Sequence, residues 1–364
     1  MPTLDKVTVL IGNRAHQIWE SYDIQSDLMT PADAWHVSLG LKTGQLPDFV
    51  EPWSPVEIKI GNDTVMIGRV DELADAVTKS ERTLSMSGRD GAAVLVDCAA
   101  PIWVARLASL EEIVAKVVRP LGIHKVVIDA EATSRREKIN VEPGDRAWDT
   151  LRNAAEANGL WPWFTPDGTL VIGGPDYSAP TVATLVMNRD GKGNNVEELE
   201  RKRSASNRYS EVTVLGQTHG TETEEGKNAL KATAQDSGVS WYRPQVVVDH
   251  ESDSAAICRD RARKLLADSR LSSFELVAKV KGHRIKEGGA LWTPGQRVHV
   301  VSEPHGIDGV FFLMSRRFTG SRQDGQRTEL MLKEDGIWAL DAHPHKRKHR
   351  RGKNDSPGEI LDVG

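Results

Sequence analysis

Along much of the chain, apolar and polar residues alternate in short runs. KVTVLI (6–11), VEIKI (56–60) and TVMIGRV (64–70) lie in the first third, and SEVTVLG (210–216), QRVHVV (296–301) and GVFFLMS (309–315) in the last. Each is rich in β-branched side chains, and alternation sends every second side chain to one face, so these runs predict strands of antiparallel sheet with one buried face. Turn formers separate them, GND at 61–63 and PHGIDG at 304–309.

The middle of the chain carries a different period. In LASLEEIVAKVVRPLG (107–122), Leu110, Ile113, Val114, Val117 and Val118 recur at helical spacing, Ser109 supplies a hydroxyl cap, and Pro120 with Gly122 ends the run. GDRAWDTLRNAAEANG (144–159) predicts a second helix, with Trp148, Leu151, Ala154 and Ala155 on one face. HKVVIDA (124–130) predicts a strand, and WPWF and TLVI form a hairpin around Pro166-Asp167-Gly168. The segment 220–238 has few large apolar residues and predicts a mobile loop. SDSAAICRDRARKLLADSR (252–270) predicts a helix, and the residues after 342 predict a disordered basic tail.

One phrase occurs twice. RTLSMSGRDG (82–91) and RTELMLKEDG (327–336) share Arg, Thr, Met, Asp and Gly at the same places. VMIGRVDEL from Val65 and VFFLMSRRF from Val310 precede the two copies at equal spacing. Further upstream, Trp53-Ser54-Pro55 answers Trp292-Thr293-Pro294, and the strand-like run from Trp35 answers the one from Phe274. Four signals in one order predict an internal duplication of a β module, with a period too long for a solenoid. The expected fold is mainly β with α+β insertions: two similar antiparallel β-barrels and a small α/β domain. The expected boundaries are 1–97 for the first barrel, 98–175 for the α/β domain, 176–218 with 273–341 for the second barrel, 219–272 for an insertion and 342–364 for the tail.

Composition narrows the function. The chain has 364 residues, 39% hydrophobic and 27% charged, with a net charge of −5. No run reaches the roughly 20 apolar residues of a membrane helix, so no membrane insertion is expected. MPTLDKVTVLIGNRAH has no signal-peptide pattern, and synthesis in a reducing cytoplasm is expected. Cys98 and Cys258 are too few for a disulfide framework and are expected to be buried free thiols. The acidic balance argues against a body held to nucleic acid by phosphate contacts; only HKRKHRR (345–351) is basic. No phosphate-binding glycine motif and no nucleophile turn is present. Asp249-His250-Glu251 reads as solvated loop, and His343, His345 and His349 lie in the basic tail, so neither set is expected to bind metal. These features predict no enzyme and no cofactor. A second reading comes from 141–164, which resembles a LysM module and would make the chain a cell-wall-binding or peptidoglycan-degrading tail protein.

The ordered set GRDGAAVLVDCAA (88–100), the helix after it, SEVTVLGQ (210–217), AQDSGVSWYRPQVVV (234–248), the Arg-rich helix and EGGALWTPGQRV (287–298) resembles the baseplate hub protein of Mu-like contractile phage tails over nearly the whole chain. That family is related to the T-even phage hub and to the base of the type VI secretion spike. The resemblance implies a structural protein of the virion tail baseplate, assembled in the host cytoplasm as a hollow homotrimer. Its implied partners are the tail tube protein, the central spike protein and other baseplate proteins, with DNA passing through the channel without specific binding. Two copies of one barrel in each of three chains would offer six quasi-equivalent surfaces to a six-fold tube. At the spacing of the repeat, Asp71-Glu72 of the first copy match Arg316-Arg317 of the second. Opposite charges there would let unlike barrels meet between subunits, making these four the candidate interface residues.

Overall fold

The computed structural model of the chain describes residues 5–12, 14–17, 19–41, 50–79, 82–102, 104–105, 109–129, 139–140, 144–156, 158–216, 230–249, 254–338 and 360–363. It divides into two compact units, the first made of 1–155, 161–200 and 276–332, the second of 156–160, 201–275 and 333–364.

The first unit opens with the strands β1 (Val7–Ile11), β2 (Arg14–His16), β3 (Ser21–Asp27), β4 (Ala34–Leu41), β5 (Pro55–Ile60), β6 (Asp63–Val77) and β7 (Arg82–Asp90). Alternation does what the pattern predicts: Val56, Ile58 and Ile60 of β5 are buried, as are Leu84 and Met86 of β7. The α/β segment follows, with α1 (Ala93–Asp97), β8 (Val104–Ala105), α2 (Leu110–Ile113), β9 (Val126–Ile128), β10 (Ile139–Asn140), α3 (Ala147–Glu156), β11 (Trp161–Phe164) and β12 (Leu170–Gly173). Ser109 and Glu112 form a reciprocal capping box at α2. That helix continues through a π turn at Val114–Val118 and stops at Gly122 in a left-handed conformation. β11 and β12 pair antiparallel, and β9 joins β12 in parallel.

Next come β13 (Thr181–Met187) and β14 (Glu198–Arg203), and, in the second unit, β15 (Glu211–Gly216), β16 (Leu230–Asp236), β17 (Pro244–Val248) and α4 (Ala255–Ser273). β15 lies between β16, antiparallel, and β17, parallel, and Ile360–Val363 adds a fourth strand antiparallel to β16, so part of the tail expected to be disordered pairs in this sheet. Val212, Val214 and Ala234 of this sheet pack with Cys258, Ala262 and Leu266 of α4. Two further expectations change here. The run at 210–216, expected in the second β module, pairs instead within this sheet. The expected loop at 220–238 contains β16, because its small residues suffice to pack beneath a helix; residues 220–229 lie outside the described residues. Cys258 is buried as expected, whereas Cys98 is only half-buried.

The chain then forms β18 (Phe274–Lys281), β19 (Arg297–Ser302), β20 (Ile307–Ser321) and β21 (Gly325–Glu334). Here the duplication is visible. The first module runs β3-β4-β7-β6-β5-β1 across the sheet, and the second runs β14-β18-β21-β20-β19-β13. The two orders correspond, with β6 and β20 both of 15 residues, but the far ends differ in direction: β1 is antiparallel to β5, whereas β13 is parallel to β19. Both modules lie in one thirteen-stranded sheet, joined where β3 pairs with β20.

Backbone bonds fix the equivalence more finely. The Val70 N–H donates to Ser54 O and the Trp53 N–H to Val70 O; the Leu313 N–H donates to Gln296 O and the Gly295 N–H to Leu313 O. Trp53 and Gly295 both take positive φ, 76° and 93°. Trp53 thus corresponds to Gly295 and not to Trp292, its match in the sequence repeat; Trp292 is 3% exposed and Trp53 72%.

Candidate assembly surface

The join between the modules is a seven-residue antiparallel ladder, Ser21–Asp27 of β3 against Ser315–Ser321 of β20. β20 has two neighbours on this edge: its first half pairs with β19, and its second half with β3. Arg317 Nε donates to both Asp23 oxygens at 2.9 Å, and Nη2 donates to Oδ2, a forked ion pair across the ladder. Gly320 has no side chain because the Tyr22 ring lies over it; a Cβ there would sit 2.3 Å from the ring. Tyr22 in turn reaches His283 Nε2 at 2.8 Å, and His283 Nδ1 meets Thr328 Oγ1 at 3.1 Å. Burial, with Arg316 and Arg284 nearby, pushes His283 down to about 3, so the ring is neutral at physiological pH.

Beneath the ladder lies a buried charged cluster. Arg316 is 2% exposed; Nη1 donates to Ile24 O at 3.1 Å and Nη2 to Val65 O at 3.4 Å. Its guanidinium carbon stands 4.0 Å from the centre of the Phe318 ring. Burial pulls Arg316 down to about 10, and Asp33 acts in the opposite direction. Burial pushes the Asp33 carboxyl up to about 6, against bonds from Ser26 and the Asp27 N–H and against the Arg316 charge. Burial and the Asp33 charge also raise Asp90 well above the usual carboxylate range. A cavity of about 110 Å³ opens between Asp33, Asp90, Arg316, Trp163 and Phe164. Among the described residues no three His, Cys, Asp or Glu side chains are grouped to hold a metal ion. His250, Glu251, His343, His345 and His349 lie outside the described residues.

The four candidate interface residues fall on the same half of the two long strands, but in different surroundings. Arg316 and Arg317 are engaged by β3 within the chain. Asp71 accepts from Arg89 Nε at 2.6 Å on its own sheet, and Glu72 is exposed. β6 pairs with β5 as far as Arg69 and with β7 through Val77. Beyond Val70, the edge corresponding to the β3-bearing edge of β20 faces no strand among the described residues. β14 likewise ends the sheet: β18 lies on one side and no described strand on the other. Bonds from Glu197 N–H to Lys279 O and from Ser204 N–H to Ser273 O, both 2.8 Å, bracket its pairing with β18. Sequence reasoning had not singled out β14, since ELERKR lacks the apolar alternation that marks a strand; only Leu199 is buried.

Comparison with known proteins matches this architecture segment by segment. A family model described as Mu phage baseplate assembly protein GpP-like, N-terminal, matches residues 6–90. The second domain of the baseplate hub protein gp44-like family matches 92–174. The third domain of NMB1110-like tail proteins matches 208–266, and the C-terminal domain of NMB1110-like tail proteins 268–337. The tail protein of Neisseria meningitidis MC58 is 42% identical, with 93% of this chain and 99% of that chain covered and a TM-score of 0.82. These findings define a phage tail protein.

The baseplate hub protein gp44 of Escherichia phage Mu is 26% identical over 374 residues, covering 97% of this chain and 94% of the phage protein. The chain belongs to the Mu-like phage baseplate hub family. A likeness of fold alone, at 11% identity and a TM-score of 0.59 over 91% of this chain and 78% of the other, links it to c3393 of E. coli. That protein is a type VI secretion component with structural similarity to the phage T4 tail proteins gp27 and gp5. The stretch that resembles LysM falls within the gp44-like second domain, and the cell-wall reading finds no support.

Proposed function

We propose that the protein is the structural hub of a contractile-tail baseplate, a hollow homotrimer that adapts the six-fold tail tube to the three-fold central spike. The observation that carries this reading is the matching strand order of two six-stranded modules within one chain. Three such chains in a closed ring have three-fold symmetry yet offer six similar β modules, which is what a six-fold partner needs. The hub acts by shape and contact rather than by catalysis. It meets the tube protein on one side, the spike protein on the other and further baseplate proteins around it. DNA passes through its channel unbound, a passage that the acidic balance of the chain favours because a basic lumen would retain phosphates. Assembly takes place in the host cytoplasm. Static light scattering of the purified full chain tests the oligomeric state: the reading expects the mass of three chains, and a mass of one chain across the accessible concentration range would overturn it.

A further inference from the structure

We infer that β14 of one chain hydrogen-bonds to the Asp71–Val77 half of β6 in the next chain, repeating between chains the joint that β3 makes with β20 inside each chain. The inference rests on the hub reading and supplies the surfaces that close its ring.

β3 is the outermost strand of the first module and β14 the outermost strand of the second; β6 and β20 are the matching long strands. Inside the chain, the outermost strand of one module lies along the second half of the long strand of the other, over seven residues. The converse pair, β14 with the second half of β6, is the one such joint the chain leaves unmade. Both of its edges are present and face no described strand. An exposed strand edge invites pairing, and a module already built to receive a strand at this place needs no new geometry to receive one from another chain.

Charge points to the same pairing. In the joint within the chain, the acid Asp23 is on the outermost strand and the base Arg317 on the long strand. On the open edges the signs are reversed but again opposite at the C-terminal half of β14: Lys202 and Arg203 stand exposed there, after the exposed Glu198 and Glu200 of its first half, and Glu72 stands exposed on β6 near Asp71. Ala74 lies midway along the open half of β6, and Lys202 lies in the basic half of β14. Pairing β6 with a second β6 would oppose acid to acid, so the charges favour β14 over a second β6 as the strand that β6 receives, and the arrangement is head-to-tail. A head-to-tail contact between different surfaces generates a ring when its rotation closes and a filament when it does not. If it closes, joints within and between chains alternate around one continuous sheet.

Disulfide trapping in the full-length protein tests this. In a Cys98→Ser background, Ala74→Cys is combined in turn with Arg201→Cys, Lys202→Cys and Arg203→Cys, and each protein is oxidised mildly and run on a denaturing gel. Antiparallel neighbours in register bring Cα atoms into the ~4.4–6.8 Å range a disulfide requires. The expected result is a ladder of covalent dimer and trimer, stopping at three chains, from at least one double variant and from no control carrying only one of the two introduced cysteines. A ladder running past three chains would support the strand joint and overturn three-fold closure. No ladder in protein whose native mass is that of three chains would overturn the joint while leaving the hub reading intact. No ladder together with the mass of a single chain would overturn both.

Discussion

Arg316 shows how differently one residue reads in sequence and in structure. Beside Arg317 on a strand it looked like half of a surface charge pair, yet it is buried, held by two carbonyls and set against Asp33. The pair of carboxyls below the joint has a measurable consequence. Asp33 titrates at about 6 in the folded chain, above its ordinary 3.8, so the folded state binds this proton more tightly than the unfolded state. Stability from this group is therefore fully present below about pH 4 and is lost as pH rises through 6. Asp33→Asn keeps an acceptor for the Asp27 N–H and removes the charge. The variant should gain thermal stability relative to the wild type at pH 7 and lose that advantage at pH 4, as followed by melting temperature across the range. At this scale the sequence repeat misleads as well. The matched phrases align Thr83 with Thr328 and Met86 with Met331, but Thr328, Leu330 and Leu332 are buried in β21 while Leu84 and Met86 are buried in β7. A shift of one residue in a strand exchanges its faces, so the shared letters mark kindred strands without marking equivalent positions.

At the scale of elements, strands with one buried face were readable because burial imposes the two-residue period: β5, β19 and the first parts of β6 and β20 all match predicted runs to within two residues at their starts. The capped start of α2 and the extent of α4 were readable for similar reasons, since a cap and a helical stripe are local. β14 and β16 were not. Their side chains are charged or small, and their strand state comes from neighbours distant in sequence, β18 for one and β15 for the other. The pairing of β15 outside the second β module was hidden for the same reason, because alternation announces a strand but not its partner. The sheet of β15, β16 and β17 depends on α4 to cover it. Leu266, 2% exposed, is central to that contact, and Leu266→Ala should cost about 2–5 kcal/mol in unfolding experiments on the second unit. A loss below ~1 kcal/mol in chemical denaturation would mean that the helix contributes little to this sheet.

At the scale of the whole molecule, the doubled module was the legible part of the assembly surface, and the edges that complete it were not, because a free edge becomes visible only once every other strand has found its place. The chain spends two modules, a small α/β segment and a helix-covered sheet on a task for which it offers no grouped metal ligands among the described residues. The economy of the proposed arrangement lies in symmetry: one chain carries two similar modules, and three copies would supply six. Image averages of the purified assembly viewed down its axis, by electron microscopy, test this most directly. The account predicts a ring of six similar lobes around an open centre, built from three chains. A ring of three lobes, or a particle with no central opening, would contradict it.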